Sequence, residues 1–156
     1  MDKEYHDVRA FHIKFKQITG EGPRHLAFRK LEERIRFMQE ELDEFKEAAG
    51  TQDLALLADA LVDLVYVAKG TAVMMGLPWE ALWDDVQRAN MEKVIGATHR
   101  GNLVDVCKPL GWTPPQTKQV LADAGYTITG WHFLHDDLVH QPTGPAILTD
   151  PNEPAL

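Results

Sequence analysis

The sequence predicts an all-α protein, a four- to five-helix bundle followed by a C-terminal wrapping arm and an extended, proline-rich tail. Three observations carry that expectation. Apolar residues recur at steps of three and four over four successive segments, the period of an amphipathic helix. Glycine or proline punctuates those segments. Beyond Gly96 the periodicity stops and Gly, Pro and Thr take over.

The first segment, over about residues 3–18, places Val8, Phe11, Phe15 and Ile18 on one face and ends at Gly20. The second begins after Pro23 and runs to about residue 49. In it Leu31, Ile35, Met38, Leu42 and Phe45 alternate steps of four and three, and Gly50 is the expected stop. The third, over about residues 52–75, is apolar on nearly every side, which predicts a helix inside the bundle that stops at Gly76. The fourth opens with Pro78 in its first turn, carries Trp79, Leu82, Trp83, Val86 and Val94 on one stripe, and fades near Gly96. Gly101, Pro109, Gly111, Pro114 and Pro115 then describe the arm, which leads into a short helix over residues 116–124. A helical domain over residues 1–115 with an extension over 116–156 is the expected organisation. No internal repeat is evident.

Composition narrows the function classes. At 156 residues, with 44% apolar and 26% charged residues, the chain is long enough and ordinary enough to fold around its own core. Its net charge of -8 repels polyphosphate backbones, so a nucleic-acid polymer is not an expected partner. Cys107 is the only cysteine, which excludes an intrachain disulfide and cysteine-rich zinc sites. The N-terminal residues hold no apolar run of a signal peptide, and the most apolar stretch, 54–68, is too short for a span and contains two aspartates. A cytoplasmic protein without membrane contact is expected.

The chemistry lies in two acidic patterns. On the second helix Glu41 and Glu44 stand one turn apart on a stripe shared with Phe37 and Ala48, and Glu40 lies further round, nearer solvent. A solvated acidic face would explain these residues alone. On the third helix, between residues 54 and 68, the only polar side chains are Asp59, Asp63 and Tyr66, spaced four and three apart. No lysine or arginine in that stretch neutralises the aspartates, and an unpaired carboxylate in a dry bundle costs several kcal/mol unless it protonates or meets a cation. Two helices that each present two carboxylates form an oxygen-only cage suited to Mg²⁺ or Mn²⁺. The bland alternative is a buried polar network. Without a nucleophile motif, such a site points to chemistry on a phosphate ester or anhydride. Asn90 and Lys93 on the inward stripe of the fourth helix, with Arg100 and Lys108 in the arm, are the candidate phosphate ligands; the bland alternative for Lys93 is a lysine that snorkels to solvent.

Taken in order, these residues resemble the all-α nucleoside triphosphate pyrophosphohydrolase superfamily, the MazG-like and phosphoribosyl-ATP pyrophosphohydrolase-like group. Glu40, Glu41 and Glu44 match its Glu-Glu-x-x-Glu motif, and Asp63 matches the aspartate of its Glu-x-x-Asp motif. Ala60 stands where the group usually has glutamate, and Asp59 is the neighbouring acid. RANMEKV (88–94) is similar to the group's Asn-x-x-Lys element. CKPLGWTPP (107–115), and Phe11, His12 and Phe15 ahead of GEGP (20–23), resemble phage members, some of which act on guanosine and deoxyguanosine triphosphates in a 2-aminoadenine DNA pathway.

The resemblance implies hydrolysis of a nucleoside triphosphate to monophosphate and pyrophosphate by a homodimer or homotetramer that uses two or three Mg²⁺ or Mn²⁺ ions. Glu41, Glu44 and Asp63, with Asp59 or Glu40 assisting, would then hold the metals. Glu40, with Glu41, is the candidate to orient or deprotonate the attacking water. His12, Phe15 and Tyr66 are candidates for contacting the base. Two rivals stand beside this reading. The cluster of His132, His135, Asp136 and His140 invites comparison with HD phosphohydrolases, but it lies close to the C-terminus without the long helical core that chemistry needs. A non-catalytic helical nucleotide sensor would keep the cage without turnover. A ferritin-like di-iron site would need Glu-x-x-His pairs, and the second and third helical segments hold none.

Overall fold

A computed structural model of the chain describes residues 2–96, 105–127, 133–135 and 138–140, the last two segments as backbone. Its elements are α1 (Lys3–Lys14), α2 (Phe28–Thr51), α3 (Leu54–Met74), α4 (Trp79–Met91), β1 (Val94–Gly96), β2 (Asp105–Cys107), α5 (Thr117–Asp123), β3 (Phe133–His135) and β4 (Leu138–His140). The all-α expectation holds, with two short antiparallel hairpins, β1–β2 and β3–β4, added to it. His135 and His140 therefore occupy strand positions; His132 and Asp136 lie outside the described residues.

Local chemistry sets the helix ends. Asp2 caps α1 by accepting from the Tyr5 amide at 3.0 Å, and the helix stops at Phe15, short of the expected Ile18, where Lys16 takes a left-handed φ of 55°. Helix α2 runs through Gly50 and closes at Gln52, whose φ is 59°. Asp53 then accepts from the amides of Ala55 and Leu56 at 2.8 and 3.3 Å and starts α3, so a two-residue connection folds α2 back on α3.

Helices α1 and α2 both pack on α3, and the core gathers around its second half, where Val67 and the run from Lys69 to Met74 are buried. The first half departs from the expected fully enclosed helix: Leu54 is 78% exposed, and Leu56, Leu61, Val62 and Val65 are also exposed. The reason is coverage. Helices α1 and α2 lie along two sides of α3, while α4 leaves after Gly76 to pack with α5.

The fourth helix is corrected in the same way. Ala89, not Val86, is its buried residue; Trp83 and Val86 are exposed, and Val94 belongs to β1, paired with Cys107. The arm folds along α4. The Trp112 indole donates to the Ala89 carbonyl at 2.7 Å, Arg88 donates to the Pro114 carbonyl, and the Gln116 amide donates to Asp85. Among the described residues no helix is long and apolar enough to cross a membrane.

Lys69 is buried in α3, and its ammonium donates to both oxygens of Asp2 at 3.0 Å and to Glu4. Burial alone would lift the Asp2 carboxyl, but the Tyr5 amide and Lys69 together bring it below the ordinary value; burial opposes the Lys69 charge, but Glu4 and Asp2 raise it above the ordinary value. A carboxylate whose folded pKa is depressed stabilises above its unfolded value, near pH 4, and loses that contribution as pH falls through the folded value. Asp2→Ala is expected to cost about 2 kcal/mol at pH 7, with Glu4 keeping part of the pairing. Thermal unfolding as a function of pH checks this: the gap to wild type should close as the solution is acidified below about pH 4.

Candidate active site

The sequence-predicted carboxylates gather on the facing sides of α2 and α3. Glu44, Asp59 and Asp63 line one cavity with Glu47, Thr51 and the buried Ala60. Glu41 and Asp63 line a second, of about 340 Å³, so Asp63 borders both. Asp59 thus borders the same groove as Glu44, one turn from Asp63, and Ala60 forms floor where a longer acid would project. Glu40 is exposed and borders neither cavity, as its place on the helix predicts.

Electrostatics tie the group together. Burial pushes the Glu41 carboxyl above the usual carboxylate range, and the like charges of Glu44, Asp63 and Glu40 push it further. A cation among these groups would reverse that strain, and the all-oxygen donor set suits a hard divalent ion. Among the described residues no three His, Cys, Asp or Glu side chains already converge within ligating reach, so the acids share one field without forming a closed cage.

The second cavity differs in character. Phe11, Phe37 and Tyr66 give it aromatic walls, and Gln17, His12, Arg34, Val67 and Gly70 complete it. Tyr66 meets Phe11 edge-on, with centroids 5.7 Å apart and an interplanar angle of 89°. His12 is 3% exposed, and its Nδ1 lies 2.8 Å from the Ile18 carbonyl oxygen. Of the three base-contact candidates, His12 and Tyr66 reach the cavity. Phe15 does not: it is 54% exposed and packs behind Phe11, at 4.6 Å between centroids, so Phe11 holds the wall position. The early end of α1 turns the chain before Phe15 can follow the helical stripe.

Arg34 is the residue that sequence reasoning missed. Its Nε donates to Thr71 Oγ1 at 3.0 Å, its Nη2 donates to the Val67 carbonyl at 2.8 Å, and its guanidinium lies over the Phe37 ring, 5.0 Å from the centroid. A signal was present in the spacing, since Arg34, Phe37, Glu41 and Glu44 follow one helical face.

The phosphate-ligand candidates are placed apart from the carboxylate-lined cavities. Asn90 is exposed rather than on an inward stripe, and it accepts from Lys93 Nζ at 2.8 Å. The Lys108 ammonium lies over the Trp112 ring, 4.5 Å from its centroid, near the end of α4. None of the three borders either cavity, and Arg100 lies outside the described residues. The reason is the divergence of α4 from α3, which periodicity alone does not reveal.

A family model, phosphoribosyl-ATP pyrophosphohydrolase, matches residues 8–90. The chain belongs to this family. The match spans the second turn of α1 to the end of α4, and so contains every described residue that lines the two cavities. Membership makes the chain a hydrolase of nucleotide pyrophosphate bonds at the level of the family, whose members generally depend on a divalent metal. No curated protein matches the chain.

Proposed function

We propose that this family member hydrolyses a nucleoside triphosphate between the α and β phosphates, releasing the monophosphate and pyrophosphate, with a preference for guanine among the bases. The observation that carries the reading is Asp63. It borders both the acidic groove and the aromatic cavity, so one bound nucleotide could present its phosphates to the carboxylates and its base to the rings.

In this reading Glu41, Glu44, Asp63 and Asp59 would hold Mg²⁺ or Mn²⁺, which when bound would supply charge neutralisation at the phosphates and a more acidic water. Glu40, exposed beside them, takes the proton of that water as its oxygen joins the α phosphorus and the bond to the bridging oxygen breaks. Similarity of the 107–115 segment to phage members supports placing the chain in a phage-type branch.

The chain acts as a homodimer or homotetramer. Leu61, Val62 and Val65 form an uncovered apolar face on α3, bordering a cavity of about 430 Å³ beside α1, and burying that face is the gain a second copy would bring. Light scattering on the purified protein is expected to give twice or four times the chain mass, and Val62→Asp to shift it to the monomer. A wild-type monomer at assay concentration would remove this part of the reading.

The function itself is tested by product analysis with Mg²⁺ or Mn²⁺ and a panel of ribo- and deoxynucleoside triphosphates. Monophosphate with stoichiometric pyrophosphate is expected. Orthophosphate release would favour a phosphatase, and binding without turnover would favour a sensor.

A further inference from the structure

The aromatic cavity contains a donor and an acceptor fixed side by side. His12 Nε2 and Arg34 Nη2 each stand 3.2 Å from the point where a Cβ on Gly70 would be, so both lie over the same bare patch of α3 backbone. Their states are set by the partners on their far sides. The Ile18 carbonyl can only accept, so His12 Nδ1 carries a proton. With Nδ1 as the protonated nitrogen of the neutral ring, Nε2 is the acceptor. Arg34 commits Nε to Thr71 and one Nη2 proton to Val67, which leaves Nη1 and the other Nη2 proton for a ligand. Burial is the cause that shifts the Arg34 guanidinium, downward, with no carboxylate contributing. Among the described residues no carboxylate pairs with this half-buried cation, which Thr71 and Val67 hold in place.

We infer that Arg34 and His12 read the lactam edge of a nucleobase, the guanidinium donating to its carbonyl oxygen and His12 Nε2 accepting from the adjacent ring N–H. The inference rests on the nucleotide reading above and names the group that sets base selectivity. A 6-oxopurine presents acceptor and donor in the required order. Adenine presents an amino group and an unprotonated ring nitrogen, so a donor meets the guanidinium and an acceptor meets Nε2. Phe11, Phe37 and Tyr66 supply the flat apolar walls on which a ring stacks. Such walls suit a base; the phosphates are left to the neighbouring acidic groove, where a bound divalent ion would offset their charge. Selectivity of this kind is strong because a mismatched base leaves buried polar groups unpaired.

The test measures binding of deoxynucleoside monophosphates by calorimetry, and so does not depend on turnover. The protein is kept full-length, with Mg²⁺ present. dGMP and dIMP are expected to bind within about threefold of each other, because both carry the lactam edge, and dAMP at least about tenfold more weakly. dTMP carries the same edge on a smaller ring; it separates a pyrimidine from a purine site and is expected to bind between them. Arg34→Gln, which keeps a neutral donor at the position, should bring dGMP down to the dAMP level while leaving dAMP within about threefold. Circular dichroism and the unfolding temperature establish that the variant folds; should it not, His12→Phe is expected to narrow the dGMP-to-dAMP ratio in the same direction. Equal wild-type affinity for dIMP and dAMP, or a uniform loss for every base in both variants, would overturn the inference. Discriminating binding without pyrophosphate release from any triphosphate would instead overturn the proposed reaction and leave the base site standing.

Discussion

Glu41→Gln is expected to lower pyrophosphate release about a thousandfold while making the metal-free protein more resistant to heat. The two effects have one origin. Burial and the charges of Glu44, Asp63 and Glu40 raise the Glu41 carboxyl above its ordinary value, so its ionised form is less favourable in the folded chain than in the unfolded one. A group with a raised folded pKa loses folded-state stability as pH rises through the window between the unfolded and folded values. At pH 7 the wild type bears that cost, and glutamine, isosteric and uncharged, removes it. Below about pH 4 the wild-type carboxyl is protonated in both states, and the difference in unfolding temperature should vanish. Added Mn²⁺ should raise the wild-type unfolding temperature and raise that of the variant much less, because a ligand that binds the folded state alone stabilises it by mass action. Undiminished turnover in Glu41→Gln would remove Glu41 from the metal site; a lower unfolding temperature would contradict the electrostatic account.

Gly76→Ala is expected to destabilise the fold by about 3 kcal/mol. Gly76 has φ of 62°, and a Cβ there would sit 2.4 Å from the Gly22 carbonyl oxygen. Gly20 faces it, and a Cβ on Gly20 would stand 2.3 Å from the Gly76 nitrogen. This contact presses the loop before α2 against the end of α3, where the Gly20 amide donates to Val73 at 2.9 Å and the Arg24 amide to Met75 at 3.0 Å. Backbone against backbone has no flexible end to yield, so the loop must lift. The same loop carries Ile18, whose carbonyl holds His12, and lifting it releases the imidazole that faces Arg34. Gly76→Ala should therefore weaken nucleotide binding as well as lower the unfolding temperature, by roughly 6–12 °C. Gly22→Ala is the control: a Cβ there meets nothing within 4 Å, and a change under about 0.5 kcal/mol is expected. Similar losses for the two variants, measured by denaturant unfolding, would refute the close-approach argument.

Whatever depends on neighbours one turn away is readable in the order of the residues alone. Helical periodicity sets four of the five helices, and the spacings of Glu41 and Glu44 and of Asp59 and Asp63 place each pair on one face before any packing occurs. An apolar helix bearing two aspartates with no basic residue beside them already demands an answer for their charge, which is why the acidic groove was legible. Which faces meet is a matter of packing between helices, and no local pattern carries it. Gly50 continues a helix that Gln52 ends, and the early turn at Lys16 puts Phe11 rather than Phe15 on the cavity wall. Phosphate-ligand candidates on the fourth helical pattern stand away from the carboxylates because α4 diverges from α3. His12 and Arg34 are brought together over Gly70 from two different helices. Such contacts follow from how α1 and α2 are rotated about α3. Many distant, individually weak apolar contacts fix that rotation jointly, and no local spacing encodes it.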